Sequence, residues 1–431
     1  MLGQLFVKEC KQTARSLIFW AIVLILIFDF VSQLGDMSIK AKPQPGEDYG
    51  IKASDDPDLI MKSTLGNLME EYVRESYTTY PIGFYKSVTL NQEDDQRIGE
   101  ILKESTGIAD REAAEKVMEE WYAAQQETEA SVENASKEGD TGNMGPIYLE
   151  PLQAEPVEGL TYQRFGELMD EADDILGGGS NYRKESRKKS ARIPKTYEEA
   201  LEEYNHLIED DRLTGGYARL FSDYMVIFLG ILPVFLAVTR GLRDRRAMMQ
   251  ELIYTRKCSS FTIMASRFLS MVVMLTLPVL ILSLIPLSKC LGYAQTAGIT
   301  VDMLAFVKYV FGWQVPTIMA VTAVGMFITE LTDTAAAVLV QGAWWFIAVF
   351  SSISDLSGGN YGWNLVPRHN SALKWQEYQD GFTALLANRL LYTVLALVFV
   401  VLTALVYTQK RKGRLQIRGK IFANRKSKSE V

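Results

Sequence analysis

The stretch that decides the fold runs from Leu220 to Leu287. It reads LFSDYMVIFLGILPVFLAVT (220–239), then RGLRDRRAMMQELIYTRKCSSFTIMASR (240–267), then FLSMVVMLTLPVLILSLIPL (268–287). Each outer segment is long enough to cross a bilayer, which takes about 20 mostly apolar residues. The middle segment is strongly basic, and short loops rich in Lys and Arg stay on the cytoplasmic side. The pattern predicts a helical hairpin in the membrane with its connecting loop inside the cell. That loop is too polar to span and too patterned to be a plain tail.

Outward from this hairpin, charge divides the chain. The net charge of −7 is the sum of two unlike parts. Residues 36–218 hold 40 acidic and 20 basic side chains; the rest holds 12 acidic and 25 basic. The pattern is an acidic, water-facing insert spliced into a basic membrane protein. The acidic insert argues against nucleic acid as a partner, because phosphate contacts need clustered Lys and Arg. The cysteines are Cys10, Cys258 and Cys290, none of them in the insert, so no disulfide framework is expected there.

Lys8, Lys11 and Arg15 precede the apolar run LIFWAIVLILIFDFVSQLG. Its length, and the absence of a small-x-small site after it, predict an uncleaved first span rather than a signal peptide. Within the insert, periodicity predicts helices in PDLIMKSTLGNLMEEYVRE, after a cap at Asn91, in ADREAAEKVMEEWYAAQQ, in TYQRFGELMDEADDILGGGS ending at Gly177, and in TYEEALEEYNHLIEDD. Ser131 to Gly145 and the basic run YRKESRKKSARIPKT read as loops. Further spans are expected at Leu304–Ile328, kinked at Pro316, at Thr334–Ser352 and at Phe382–Tyr407. KRKGRLQIRGK then holds the C-terminus inside.

The expected fold is an all-α integral membrane protein of six transmembrane helices. A large, mostly helical extracellular insert separates the first and second spans. The parts are a cytoplasmic N-terminus with the first span (1–35), the insert (36–218), a five-helix membrane region (219–408) with a cytoplasmic loop (240–267), and a basic cytoplasmic tail (409–431). Both termini are expected in the cytoplasm of a multi-pass cell-membrane protein, with a bacterial plasma membrane as the setting.

The loop is the strongest candidate site. Arg243, Arg245 and Arg246 lead into MMQELIY, a short helix whose Met248, Leu252 and Ile253 form an apolar face beside Glu251. Sidedness alone does not require such a face; docking into a partner's groove does. RDRRAMMQELIYTRKCSSFTIMASRFL resembles the corresponding loop of type-2 ATP-binding-cassette exporter permeases, the ABC-2 family. The resemblance implies that Arg243 and Asp244 are the entry to an ATPase-coupling helix. Met248 and Met249 would lead into it, Glu251, Leu252 and Ile253 would form its core, and Ser259 and Ser260 would open the next span. Arg256 and Lys257 stand where the commonest version carries a proline. It further implies cytoplasmic ATPase subunits as partners and a second permease subunit, making a homo- or heterodimer in contact with membrane lipids. ATP and magnesium would sit on the partner, with no cofactor on this chain. The expected function is then that of an exporter's permease subunit, itself no enzyme, moving an amphipathic, peptide or lipid-like substrate. The alternative is a membrane-anchored extracellular sensor or accessory subunit.

Other motifs read more plainly. A phosphate loop needs G-x-x-x-x-G-K-[ST]. The run Gly413–Ile421 is one residue too long and has Ile421 in place of the Ser or Thr, and GGGS at Gly177–Ser180 lacks the lysine. His206 lies among Glu202, Glu203, Glu209 and Asp210, a metal set on paper but more simply a solvated helix face. His369 has no second ligand in view. Asp29 and Asp223 fall near span ends, where headgroup water is the simpler environment. The run from Arg183 to Arg192 reads as a solvated loop, with lipid headgroups or the acidic insert as other contacts.

Overall fold

The computed structural model describes residues 2–81, 85–137, 151–255, 257–351, 361–369 and 374–415. The protein is mostly helical and divides into two compact units, Met1–Lys40 with Glu203–Val431, and Ala41–Glu202.

The Ala41–Glu202 unit holds β1 (Ile51–Ala53), α3 (Pro57–Val73), β2 (Tyr77–Thr79), β3 (Lys86–Val88), α4 (Gln92–Thr106), α5 (Arg111–Lys137), α6 (Tyr162–Ile175), α7 (Lys184–Arg187), β4 (Arg192–Pro194) and the start of α8 (Tyr197–Glu209). The first unit contributes α1 (Leu2–Ala14) and α2 (Leu17–Leu34) before this segment. Helix starts follow capping chemistry. Asp56 accepts from the Asp58 amide, and Asn91 from the amides of Glu93 and Asp94, each satisfying donors that an α-helix leaves open at its start. The core gathers Leu65, Leu68 and Met69 of α3, Ile98 and Ile101 of α4, and Phe165, Leu168 and Met169 of α6.

Three local expectations change here. The polar stretch from Ser131 is helical as far as Lys137, and residues 138–150 lie outside the described set. Two small antiparallel pairs, β1 with β4 and β2 with β3, occupy stretches too short to carry a periodicity. The run from Arg183 to Arg192 is not simply a solvated loop: it includes α7 and the start of β4. Arg187 is buried, donates to Asp170 Oδ1 at 2.7 Å and to the Gly166 carbonyl at 3.1 Å, and lies over the Phe165 ring.

Gly66 permits the closest approach in this unit. A Cβ there would fall 1.9 Å from the Leu152 carbonyl oxygen. That strand of chain is fixed by Ala154 N–H donating to the Lys62 carbonyl at 3.0 Å. Gly66→Ala is therefore expected to destabilise the unit by about 1–3 kcal/mol through overpacking. Thermal unfolding followed by far-UV ellipticity checks it; an unchanged transition would mean the 151–154 segment moves aside freely.

The other unit continues with α9 (Thr214–Leu229), α10 (Leu232–Arg246), α11 (Gln250–Tyr254), α12 (Ser260–Ala297) and α13 (Ala305–Tyr309). A π-helical turn (Val310–Gln314), α14 (Val315–Thr332), α15 (Ala336–Phe350) and α16 (Trp375–Arg411) follow. Four helical segments are long and apolar enough to cross a membrane: Leu17–Leu34, Ser260–Ala297, Ala305–Thr332 and Trp375–Arg411. The pair α9 and α10, bent by 42°, makes a fifth if it forms one span, and α15 is a shorter apolar helix. These helices mark a membrane-embedded protein.

The apolar segment expected as one continuous second span is thus two helices separated by a break. Pro233 in the first turn of α10 removes a donor. Gly230 lets Val366 and Trp345 approach to where a side chain would stand. The carbonyls freed at the break are taken by α15: Gln341 Nε2 donates to Gly230 O and Trp345 Nε1 to Ile227 O, both at 2.7 Å. A break at membrane depth needs such partners, because lipid supplies none. Pro316 likewise sits in the first turn of α14, directly after the π-helical turn, where the Trp313 carbonyl accepts from Arg389 at 2.8 Å.

Candidate functional site

At the end of this unit where α11 lies, the basic loop rests on a network of buried charge. α1, read from sequence only as a basic flank, is an amphipathic helix that buries Glu9 and Thr13. Arg240, near the end of α10, donates to the Glu9 carboxylate, and also reaches Gln12 Oε1 at 3.3 Å. Arg267 of α12 donates to Asp244 and stands 3.7 Å from Glu9. Arg245 pairs with Asp333 at 2.9 Å. Lys410 of α16 pairs with the same Asp333 at 2.8 Å and with Glu330 at 3.6 Å. Two sets of ion pairs, Glu9–Arg240–Arg267–Asp244 and Arg245–Asp333–Lys410–Glu330, therefore meet on α10 and between them tie α1, α12, α14 and α16 to it beneath the loop. Charges this far from water persist only when paired and hydrogen-bonded.

The loop helix is held at its far end by α16. Arg411 donates to the carbonyls of Tyr254 at 2.7 Å and Cys258 at 2.6 Å, and the Tyr254 and Tyr407 rings meet edge to face. Ser259 then stands at the N-cap position and α12 starts at Ser260, the position expected for the start of the next helix. Between α10 and α11 the backbone turns through Met248 at φ 54°, a left-handed conformation that non-glycine residues adopt sparingly. The result presents apolar side chains outward: Met248 is 89% exposed and Leu252 61%, with Met249 exposed beside them. Burial holds the nearby Cys10 thiol of α1 above its ordinary value. A cavity of about 420 Å³ opens between α1 and the loop, lined by residues that include Lys8, Gln12, Arg243, Met249 and Ile253.

The seven predicted loop residues thus divide. Met248, Met249, Glu251 and Leu252 face outward. Ile253 is half-buried and lines the cavity. Arg243 and Asp244 turn inward, Arg243 donating to Gln12 and to Asp244, whose other oxygen is held by Arg267. Sequence reasoning missed Glu9, Arg240, Arg267, Glu330 and Lys410. Their signal was present as charge at the ends of apolar segments, but the pairing joins residues up to 231 positions apart.

The remaining candidates are placed as follows. Asp29 and Asp223 are not at headgroup water but buried. Asp29 falls on the α2 face that packs Ile22 and Leu26, and its Oδ2 has no hydrogen-bond partner among the described residues. Asp223 accepts from Arg368 Nε at 3.0 Å and from the His369 amide. His369 is buried, its Nδ1 2.7 Å from the Tyr361 hydroxyl. His206 Nδ1 lies 2.6 Å from Asp210 Oδ2 on an exposed face. No group of His, Cys, Asp or Glu able to hold a metal occurs among the described residues. Gly177–Ser180 is a turn closing α6, with the Ser180 amide donating to Asp173 at 2.6 Å. Gly419, Lys420 and Ile421 lie outside the described residues, as does Arg256.

No family model, curated protein or solved structure matches the chain.

Proposed function

We propose that the chain is the membrane-spanning permease subunit of an ATP-binding-cassette exporter of the ABC-2 type. In this reading it has six spans, with both termini cytoplasmic and the Ala41–Glu202 unit outside. α15 is the fifth span and the bent pair α9 and α10 is the second. A cytoplasmic ATPase on a separate chain supplies the energy, and a second permease subunit completes the pathway for an amphipathic, peptide or lipid-like substrate.

The observation that carries the reading is α11. A short helix in a basic loop offers Met248, Met249 and Leu252 to solvent, while Arg411 of α16 holds its far end and ion pairs tie together the helices around it. Exposed methionine and leucine rimmed by arginine suit a helix that docks in a groove. The arrangement suits force transmission, because α11 is held to α16 by Arg411, and α16, α10 and α12 are joined in turn by paired charges that cannot separate cheaply.

Two measurements test it. The purified chain alone is expected not to hydrolyse ATP, and the complex isolated with its ATPase is expected to do so; robust hydrolysis by the chain alone would overturn the reading. For sidedness, Glu119→Cys and Arg246→Cys are introduced singly in a Cys10→Ser, Cys258→Ser background. An impermeant thiol reagent on intact cells is expected to label the first and not the second. The reverse pattern would invert the topology.

A further inference from the structure

Among the described residues, five arginines are buried: Arg187, Arg219, Arg240, Arg267 and Arg389. Four of them have a carboxylate partner, respectively Asp170, Asp211, Glu9 and Asp244. Arg389 of α16 has none, although it is only 5% exposed. Its donors go to neutral acceptors: Nε to Asn388 Oδ1 at 2.9 Å, Nη1 to Trp313 O at 2.8 Å and Thr317 Oγ1 at 2.7 Å, and Nη2 to Asn388 Oδ1 and, at 3.5 Å, to Asn364 O. A guanidinium does not shed its proton to escape burial, so the uncompensated charge persists. Inside a membrane protein such a charge is costly and commonly functional.

Arg389 lines a cavity of about 410 Å³ between the π-helical turn and the first turns of α16. Lys308, exposed and paired with Asp302 at 2.6 Å outside the lining, is the other cation there; the remainder is Tyr309, Gly312, Trp313, Tyr378, Phe382, Leu385 and Leu386, and no carboxylate lines the cavity itself. This volume falls in the range of small-molecule sites. A Cβ on Gly312 would meet nothing within 4 Å, so the space over the turn is open. On the outer side Phe311, Phe382 and Leu386 are exposed apolar surface. π-helical turns recur at functional sites because the widened turn moves backbone groups out of register. Here one underlies the cavity.

We propose that this cavity binds an amphipathic anion: a carboxylate or phosphate head held by the charge of Arg389 and Lys308, with a long alkyl chain along Trp313, Phe382 and Leu386. All the Arg389 donors have protein acceptors, the weakest of these bonds being the 3.5 Å contact from Nη2 to the Asn364 carbonyl. An anionic oxygen there gains a charge-assisted bond in exchange for a weak neutral one. The apolar wall takes the chain. A zwitterionic or neutral head gains no net attraction from the two cations. Binding requires neither ATP nor a partner, so this inference stands apart from the transporter reading and is measured on the purified chain. The head can belong to a bilayer lipid or to a free amphiphile, and the two are separated by how the probe is supplied.

Trp313, buried against the cavity, is the reporter, its share of the emission identified by subtracting the Trp313→Phe protein. In the first arm a bromine-tipped alkyl phosphate, or the matching neutral alcohol, is added to protein stripped of lipid in maltoside micelles. In the second, the protein sits in nanodiscs containing brominated phosphatidylglycerol or brominated phosphatidylcholine. Quenching of Trp313 by the anionic probe at about tenfold lower concentration than by its uncharged or zwitterionic match is the expected result in at least one arm. The first arm positive identifies a free amphiphile; the second alone identifies a lipid headgroup. Arg389→Gln is expected to remove the charge preference, and Gly312→Phe to fill the cavity and abolish quenching by every probe. Equal quenching by charged and uncharged probes in both arms overturns the proposal. So does a preference retained by folded Arg389→Gln. If Arg389→Gln does not fold, Gly312→Phe and Lys308→Gln decide: unchanged quenching in Gly312→Phe, or unchanged charge preference in Lys308→Gln, overturns it.

Discussion

Leu252→Asp is expected to strip the ATPase from the complex while the membrane helices still insert. Leu252 lies on the exposed side of α11 with most of its side chain in solvent, so its loss should not unfold the bundle. Seated in a partner's groove, a leucine side chain contributes roughly 1.5–3 kcal/mol, and interface energy concentrates in a few such anchors. The aspartate removes that contribution and adds a charge that must be desolvated or expelled. A combined loss of about 3 kcal/mol lowers affinity by a factor of more than 100. Arg246→Ala is the matched control, since Arg246 is exposed in the same loop and rim charges contribute about 0–1 kcal/mol. Arg243 would be a poor control, because it turns inward to Gln12 and Asp244. The measurement is capture of the ATPase by wild type, Leu252→Asp and Arg246→Ala at equal expression. Capture by Leu252→Asp equal to wild type would reduce the loop to a topological signal and remove the main support for the permease reading.

What the sequence made legible follows from the range of the forces involved. The helix cap at Asn91 and the start of α12 at Ser260 are local, decided within a turn, and they stand as read. The apolar runs that form α2, α12, α14 and α16 were equally plain, because lipid demands one composition along the whole segment. The break between α9 and α10 was not, although Gly230 and Pro233 were in view. Whether such a pair bends a helix depends on partners for the freed carbonyls, and these come from Gln341 and Trp345, more than 100 positions away. The candidate site was half legible for the same reason. Its exposed face of Met248, Met249 and Leu252 follows from local pattern. Its foundation pairs Glu9 with Arg240 and Lys410 with Asp333, and pairing between distant segments leaves no periodic trace. Asp29 and Asp223 illustrate the limit: position near a span end gave no indication of the neighbours that bury them.

That foundation yields the second large effect. Glu9→Ala is expected to release α1 from the bundle. Glu9 is buried against Arg240, with Arg267 at 3.7 Å. Its removal leaves Arg240 buried without a carboxylate, since Asp244 is already held by Arg267 and Arg243. Removing one member of a buried pair costs about 3–5 kcal/mol, mostly for the charge left behind. The unit can avoid that cost by letting water reach Arg240 as α1, whose Glu9 covers it, lifts away. Cys10, next to Glu9 and half-buried, reports the movement. In a Cys258→Ser background its labelling by a thiol reagent should accelerate in Glu9→Ala, both because access improves and because burial no longer raises its pKa. The unfolding temperature in detergent should fall in parallel. Replacing both members, Glu9→Leu with Arg240→Leu, removes the stranded charge and should restore most of the stability and protection of Cys10, since apolar pairs commonly substitute for buried ion pairs at little cost. The double variant therefore separates charge burial from simple loss of contact. If Glu9→Ala leaves both the labelling rate and the unfolding temperature unchanged, α1 is held by its apolar face alone. The ion pairs beneath the loop would then not brace α11.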